Sequence, residues 1–215
     1  MKKNCFQIAI DSPAASGAGT QAKLISKYYN FLYLDTGKLY RILAQVYFKT
    51  KNKINYKLFK KKIDKTKLKD LSSKKLLDTE IGMLASKLAK NPKIRKFVSD
   101  YQIKIANNPP KRYKGVCFDG RDITYKIMPN ADVKFFLTAS TKIRAKRRFE
   151  ELKKLKHKIT FNEVIKNIKE RDKSDFTRRT SPLKIVDDAI YIDNSNMTIK
   201  RCFKLMVKEI NKKII

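Results

Sequence analysis

Phe6-Gln7-Ile8-Ala9-Ile10-Asp11-Ser12-Pro13-Ala14-Ala15-Ser16-Gly17-Ala18-Gly19-Thr20 is the stretch whose reading decides the fold. An apolar run of strand type ends at Asp11, a loop of small residues follows, and the pattern turns helical from about Thr20. Residues 6–11 show no alternation, as expected of a strand in a parallel sheet covered on both faces. Strand, small-residue loop, helix is an arrangement that holds a phosphate. Backbone N–H groups face into the loop, the helix N-terminus adds partial positive charge, and a hydroxyl at Thr20 can reach a magnesium ion. The general phosphate-loop pattern asks for Gly, four residues, Gly, Lys, then Ser or Thr. Here Ser12 and Ala18 stand where the first Gly and the Lys are expected, and a Gly is inserted before Thr20. The loop is recognisable, and its ammonium group is gone.

Working outward, Phe31-Leu32-Tyr33-Leu34-Asp35 reads as a second strand, followed by a helix capped by Thr36 and running to about Tyr47. Within that helix Leu39, Ile42, Leu43 and Val46 recur at i, i+3, i+4, i+7. Residues 50–78 are Lys-rich and weakly periodic, and read as short helices and loops projecting from the core. Helices are expected over 79–89 and from Pro92 to about 106, since Pro is favoured in a first helical turn. Gly115–Asp119, Val133–Ala139 and Ala189–Asp193 complete five strands. Between and after them come helices over about 142–155, 160–172 and 197–213, with 173–183 read as an irregular polar segment. Short apolar strands alternating with helices imply an α/β fold: a three-layer, five-stranded parallel sheet of phosphate-loop kinase type, with ligands at the carboxyl ends of the strands. One domain is expected over 1–215, with its core at about 4–50, 80–145 and 185–215, an insert at about 50–80 and a lid at about 145–180.

Composition narrows the setting. The 215 residues carry 52 Lys and Arg against 20 Asp and Glu, a net charge of +32. Only 11 of the 52 are Arg, and the Lys are spread along the whole chain. That texture fits drift of surface positions better than a dedicated polyanion face, so the few Arg are the informative cations. Three Cys far apart form neither a disulfide framework nor a zinc spacing, which points to a reducing cytoplasm. No apolar run approaches a membrane span, and no membrane partner is expected.

Each strand end carries polar residues. The second runs into Asp35-Thr36-Gly37-Lys38-Leu39-Tyr40-Arg41, and the third into Asp119-Gly120-Arg121-Asp122. An Arg beside a carboxylate offers a fork for phosphate together with a hydrogen-bond acceptor. Downstream come Arg144, Arg147 and Arg148 on one basic helix, then Glu170-Arg171-Asp172-Lys173-Ser174-Asp175-Phe176-Thr177-Arg178-Arg179. No Ser/His/Asp or Cys/His arrangement competes, and the single His, His157, reads as a solvated surface residue.

With Pro92-x-x-Arg95 added, these motifs, in this order, resemble the bacterial cytidylate kinases, nucleoside monophosphate kinases acting on CMP and dCMP. The resemblance covers nearly the whole chain. It implies ATP-dependent phosphorylation of CMP and dCMP with Mg2+, by a monomer that binds no nucleic acid. It places Ser12, Pro13, Ala14, Ala15, Ser16, Gly17, Ala18, Gly19 and Thr20 on the ATP phosphates, with Thr20 near the metal and Arg147 and Arg148 in a closing lid. It assigns Thr36, Arg41, Arg95, Arg121, Asp122, Arg171, Asp175 and Arg178 to the CMP side. Ser86 would reach the cytosine ring, and Asp175 the sugar hydroxyls. Arg121, Asp122 and Arg178 are the expected catalytic set, and Arg41, Arg121 and Arg178 the phosphate clamps.

Ala18 is the departure. Either another cation replaces the missing Lys, with Lys23 or a lid Arg as candidates, or the chain is a weakened or inactive nucleotide-binding relative. A basic nucleic-acid- or ribosome-associated protein on the same fold is the reading from a different class. Arg-poor basicity without interleaved aromatics speaks against it.

Overall fold

The computed structural model describes residues 5–73, 76 and 79–214. Residues 1–4 at the start of the expected core, and 74, 75, 77 and 78 within the expected insert, lie outside the described residues. The chain divides into two compact units: Met1–Leu34 with Pro109–Ile215, and Asp35–Asn108.

The first unit holds the sheet. Its strands are β1 (Phe6–Asp11), β2 (Phe31–Asp35), β3 (Gly115–Gly120), β4 (Val133–Thr138) and β5 (Ile190–Asp193), in the order β2-β3-β1-β4-β5. β1 runs parallel to β3 on one side and to β4 on the other, and β4 runs parallel to β5. Ile8, Ile10, Cys117, Phe135 and Leu137 are fully buried, as strands covered on both faces must be. Helices α1 (Ala18–Tyr29) and α8 (Ile199–Asn211) contribute Ala22, Ile25, Cys202, Met206 and Ile210 to the same core. The chain leaves β1 toward β2 and leaves β4 toward β5, in opposite directions. β1 and β4 therefore flank the switch point, the place where an open α/β sheet receives its ligand.

Two helices after β4, α6 (Thr141–Lys154) and α7 (Phe161–Thr177), pack on each other through a small core of Ala145, Leu152, Val164 and Ile168. The Ser140 hydroxyl caps α6, accepting from the Ile143 N–H, and a Thr160–Glu163 capping box opens α7. The expectation of an irregular, non-core segment over 173–183 holds for the backbone of 178–183 and is corrected for 173–177 and for burial. α7 continues through Thr177, and Asp175, Ser181 and Leu183 are buried.

The second unit is helical: α2 (Thr36–Lys49), α3 (Tyr56–Asp64), α4 (Thr79–Leu88) and α5 (Pro92–Asn107), with Phe59, Ile63, Leu39, Leu43 and Ile94 fully buried. Asn91 caps α5, its side chain accepting from the N–H groups of Lys93 and Ile94, with Pro92 in the first turn as expected. Thr36 is not the cap of α2. It is the first helical residue, and Asp35 holds the cap position in extended backbone.

Gly115 sets the start of β3. A Cβ there would lie 2.5 Å from the Phe6 carbonyl oxygen and 2.8 Å from the Phe31 ring. Backbone on one side and a buried ring on the other leave no room to give. Gly115→Ala is expected to cost about 2 kcal/mol in urea unfolding, and an unchanged midpoint would contradict this packing.

Candidate active site

The loop after β1 ends in a bare helix N-terminus. Gly17, at φ +90°, precedes α1, no side chain caps the helix, and its first turn carries no acid. The N–H groups of Ala18, Gly19 and Thr20 therefore point out of the helix toward the loop, where the helix dipole favours an anion. Ala15 also sits in the left-handed region at φ 59°. For a residue with a Cβ that conformation costs roughly 1–2 kcal/mol.

The loop is gripped from three elements. Asp172 on α7 accepts from the Ala14 N–H at 3.3 Å, and Arg144 on α6 donates to the Ala14 carbonyl at 2.9 Å. Arg144 and Asp172 are themselves an ion pair at 2.7 Å. The Ser16 carbonyl accepts from Asn194 Nδ2 at 2.9 Å and from Arg147 Nη1 at 3.3 Å. Thr20 is exposed, and Asp119 Oδ2 lies 3.5 Å from where a Cβ on Gly19 would stand. These hard oxygen donors beside a phosphate-type loop suit Mg2+, which takes one or two protein oxygens and completes its shell with phosphate oxygens and water. Among the described residues, no group of three or more His, Cys, Asp or Glu could hold a metal by itself.

β3 is β1's neighbour, with Gly120 opposite Asp11, and its end carries the arginine turn. Asp11 is completely buried and ties the two strand ends together. Its carboxylate accepts from the N–H groups of Ile123 and Thr124 at 2.9 Å each and from the Thr124 hydroxyl at 2.6 Å. This fixes a single π-helical turn, Ile123–Ile127, directly after Arg121 and Asp122. Burial pushes the Asp11 carboxyl up to about 6, with the three donors only partly offsetting it.

Arg121, Asp175 and Arg178 converge. Arg121 Nε and Arg178 Nη1 each donate to one oxygen of Asp175 at 2.8 Å, and Arg171 Nε stands 4.0 Å away. Burial opposes ionisation of Asp175, but Arg121, Arg171 and Arg178 together hold its carboxyl below the usual range. Burial likewise disfavours charge on Arg121, and Asp175 outweighs it, so the guanidinium stays charged. Arg178 is further fixed by donating Nε to the Ser181 carbonyl at 2.7 Å. Three guanidinium groups gather on this one carboxylate, and Asp119 and Asp11 act on Arg121 from further off. Asp122 is buried at the head of the π-helical turn.

The other expected site residues lie in the second unit. Arg41 donates to the Leu76 carbonyl at 2.7 Å, and Gly82 leaves room for its guanidinium, which a Cβ there would meet at 2.8 Å. Arg95 is buried, donates to the Ala89 carbonyl at 3.0 Å and covers the Tyr40 ring at 5.4 Å, giving Tyr40 a packing role. Thr36 is buried and Ser86 half-buried.

Arg148 pairs with Glu151 at 2.8 Å, and Lys23 lies exposed with Nζ 5.8 Å from the Tyr33 ring centroid. Among the described residues, neither hydrogen-bonds to the loop. Asp11, Asp172 and Asn194 are site residues that sequence reasoning missed. Asp172 stood inside the quoted Glu170–Arg179 run, where helical i,i+3 spacing would have put it on the face of Asp175. Asn194 carried no local signal.

Asp175→Asn should cost about 3 kcal/mol at neutral pH, because it leaves clustered guanidinium groups without their carboxylate. The carboxyl is held low, so its contribution is lost as pH falls through its folded titration range. The gap between variant and wild type in urea melts should therefore narrow in acid, and a gap that widens would contradict the assignment. Asp11 has the opposite sign: its contribution is full below the ordinary carboxylate range and is lost as pH rises through about 6. A carbon-detected NMR titration should place its midpoint near that value, and a midpoint near 4 would contradict the burial argument.

The chain is similar to known proteins over nearly its whole length. The family model described as Cytidylate kinase matches residues 8–212. The cytidylate kinase of Fusobacterium nucleatum is 41% identical, over 95% of this chain and 97% of that protein. That of Aquifex aeolicus is 38% identical over 97% of both chains. A crystal structure of an uncharacterized protein from Eubacterium ventriosum aligns at a TM-score of 0.56 with 15% identity, covering 96% of this chain and 98% of that one, a likeness of fold. With its loop, its arginine turn and full-length similarity to these proteins, the chain belongs to the cytidylate kinase family.

Proposed function

We propose that this protein transfers the γ-phosphoryl group of ATP to CMP and dCMP, a cytoplasmic step of pyrimidine nucleotide metabolism. The observation that carries the reading is the Arg121–Asp175–Arg178 cluster, fixed at the strand end next to the loop. A nucleoside monophosphate brings an anion that such a cluster attracts, and ATP brings phosphates for the bare N-terminus of α1.

In the transfer, an ionised 5′-phosphate oxygen of CMP forms a bond to the γ-phosphorus. The bond from that phosphorus to the β,γ-bridging oxygen breaks, and ADP leaves with the electron pair. No proton need move. The protein's work is alignment, charge neutralisation and exclusion of water. Arg121 and Arg178 hold the acceptor phosphate and the equatorial oxygens in transfer, Arg171 adds long-range charge, and Asp175 keeps the forks aligned while accepting from the sugar. Asp122 contributes an acceptor beside Arg121. Thr36, Arg41, Ser86 and Arg95 are assigned contacts with the acceptor nucleotide, and the α6–α7 hairpin the role of lid. Thr20 would hold Mg2+ together with nucleotide oxygens, and the ion would supply neutralisation of phosphate charge. Loop and arginine cluster come from one chain, so a monomer suffices.

ADP release measured with CMP, dCMP, UMP and AMP as acceptors tests the reading. Stimulation by the cytidine nucleotides at least tenfold above the acceptor-free rate is expected. No stimulation by either would overturn it, and a preference for AMP would move the assignment to an adenylate-type kinase.

A further inference from the structure

The loop lacks its Lys, and a cation on α6 lies against it. Two cationic side chains bond to loop atoms among the described residues, Arg144 and Arg147. Arg144 is buried and consumed: it donates to the carbonyls of Ala139 and Ala14 and to Thr141 Oγ1, and it is neutralised by Asp172. Among the described residues the hydrogen bonds of Arg147 go to neutral acceptors, the carbonyl of Ser16 and the side-chain and main-chain oxygens of Asn194 at 2.7 and 3.0 Å, and the exposed Asp193 acts on it without a hydrogen bond. Among the described residues, no direct ion pair cancels its charge. Its Nη1 lies 3.9 Å from the position a Cβ on Gly17 would take, so the guanidinium rests against the residue just before Ala18.

Asn194 is what puts it there. This residue follows β5, is buried, and is fixed by its own N–H donating to the Thr138 carbonyl at 2.8 Å. Its Nδ2 donates to the Ser16 carbonyl while its two oxygens take both terminal nitrogens of Arg147. One side chain thus joins the loop to the cation. A planar fork held at two nitrogens lies nearly fixed before substrate arrives, unlike a flexible ammonium group.

We propose that Arg147, positioned by Asn194, supplies the β,γ-phosphate cation that position 18 has lost. The proposal rests on the kinase reading above and adds to it which group stabilises the transferring charge. Arg147 is the catalytic cation, and Asn194 is a positioning residue that acts through it.

Removing a single preorganised charge donor costs on the order of 10²–10³ in rate. Arg147→Gln is expected to lower kcat by about that factor with a smaller change in the KM for CMP. Asn194→Ala should lower kcat about tenfold, and the double variant should be no slower than Arg147→Gln alone, because Asn194 acts through the guanidinium. Ala18→Lys in the Arg147→Gln background should recover at least tenfold. Equilibrium binding is measured in parallel: wild type should prefer ATP over AMP by a ratio that Arg147→Gln reduces at least tenfold. An Arg147→Gln variant within threefold of wild type in both kcat and that binding ratio overturns the proposal. So does an Asn194→Ala loss fully additive with it. If Ala18→Lys does not give a cooperative melt, the two single variants and their double decide alone. Wild type without CMP-stimulated ADP release would overturn the kinase reading instead, and the ATP-to-AMP binding ratio would still decide the role of Arg147.

Discussion

The Asp11 carboxylate, buried without solvent at the end of β1, accepts three hydrogen bonds from a turn more than a hundred residues further along the chain. The phosphate loop starts on one side of this carboxylate, and Arg121 and Asp122 lie on the other. Leaving even one of its partners out would strand a buried polar group, at a cost of about 1–3 kcal/mol. The spacing between the loop and the arginine turn is therefore as rigid as the sheet. Phosphoryl transfer needs that rigidity more than it needs reactive side chains, because its catalysis is almost entirely positioning and charge neutralisation.

Charge in this protein divides into two populations. The Lys excess behind the +32 net charge lies spread over the whole sequence. The Arg are few, and several sit in defined pairs: Arg121 and Arg178 on Asp175, Arg144 on Asp172, Arg147 on Asn194. Planar forks match carboxylates and phosphates in two dimensions, and a Lys in their place would keep the charge and lose the geometry. Retention of Arg at these positions in so Lys-rich a chain follows from that requirement. It also explains how the loop can lose its ammonium group while the rest of the machinery stays in place.

Much of the fold was legible in the sequence because parallel strands buried on both faces leave unbroken apolar runs, and all five were readable. The arginine turn was legible for a related reason: Asp119-Gly120-Arg121-Asp122 closes such a run, where an α/β sheet keeps its ligands. The C-terminal half of α7 was not. Lys173-Ser174-Asp175-Phe176-Thr177 has no apolar stripe, since guanidinium groups rather than aliphatic side chains hold Asp175 inward. Asp11 read as a strand end and turned out to be an anchor, because its partners are remote in sequence. Asn194 was invisible for the same reason: its role is defined by Ser16 and Arg147, and nothing near it in the chain announces either.

The central claim is that one site binds a triphosphate on the loop and a monophosphate at the arginine cluster, in line for transfer. Its most direct measurement is the equilibrium affinity of an adenosine and a cytidine joined 5′ to 5′ through five phosphates. An inhibitor spanning both halves should bind about 100-fold or more tightly than ATP, as mimics of the transfer geometry do. Binding no tighter than ATP alone would contradict the account.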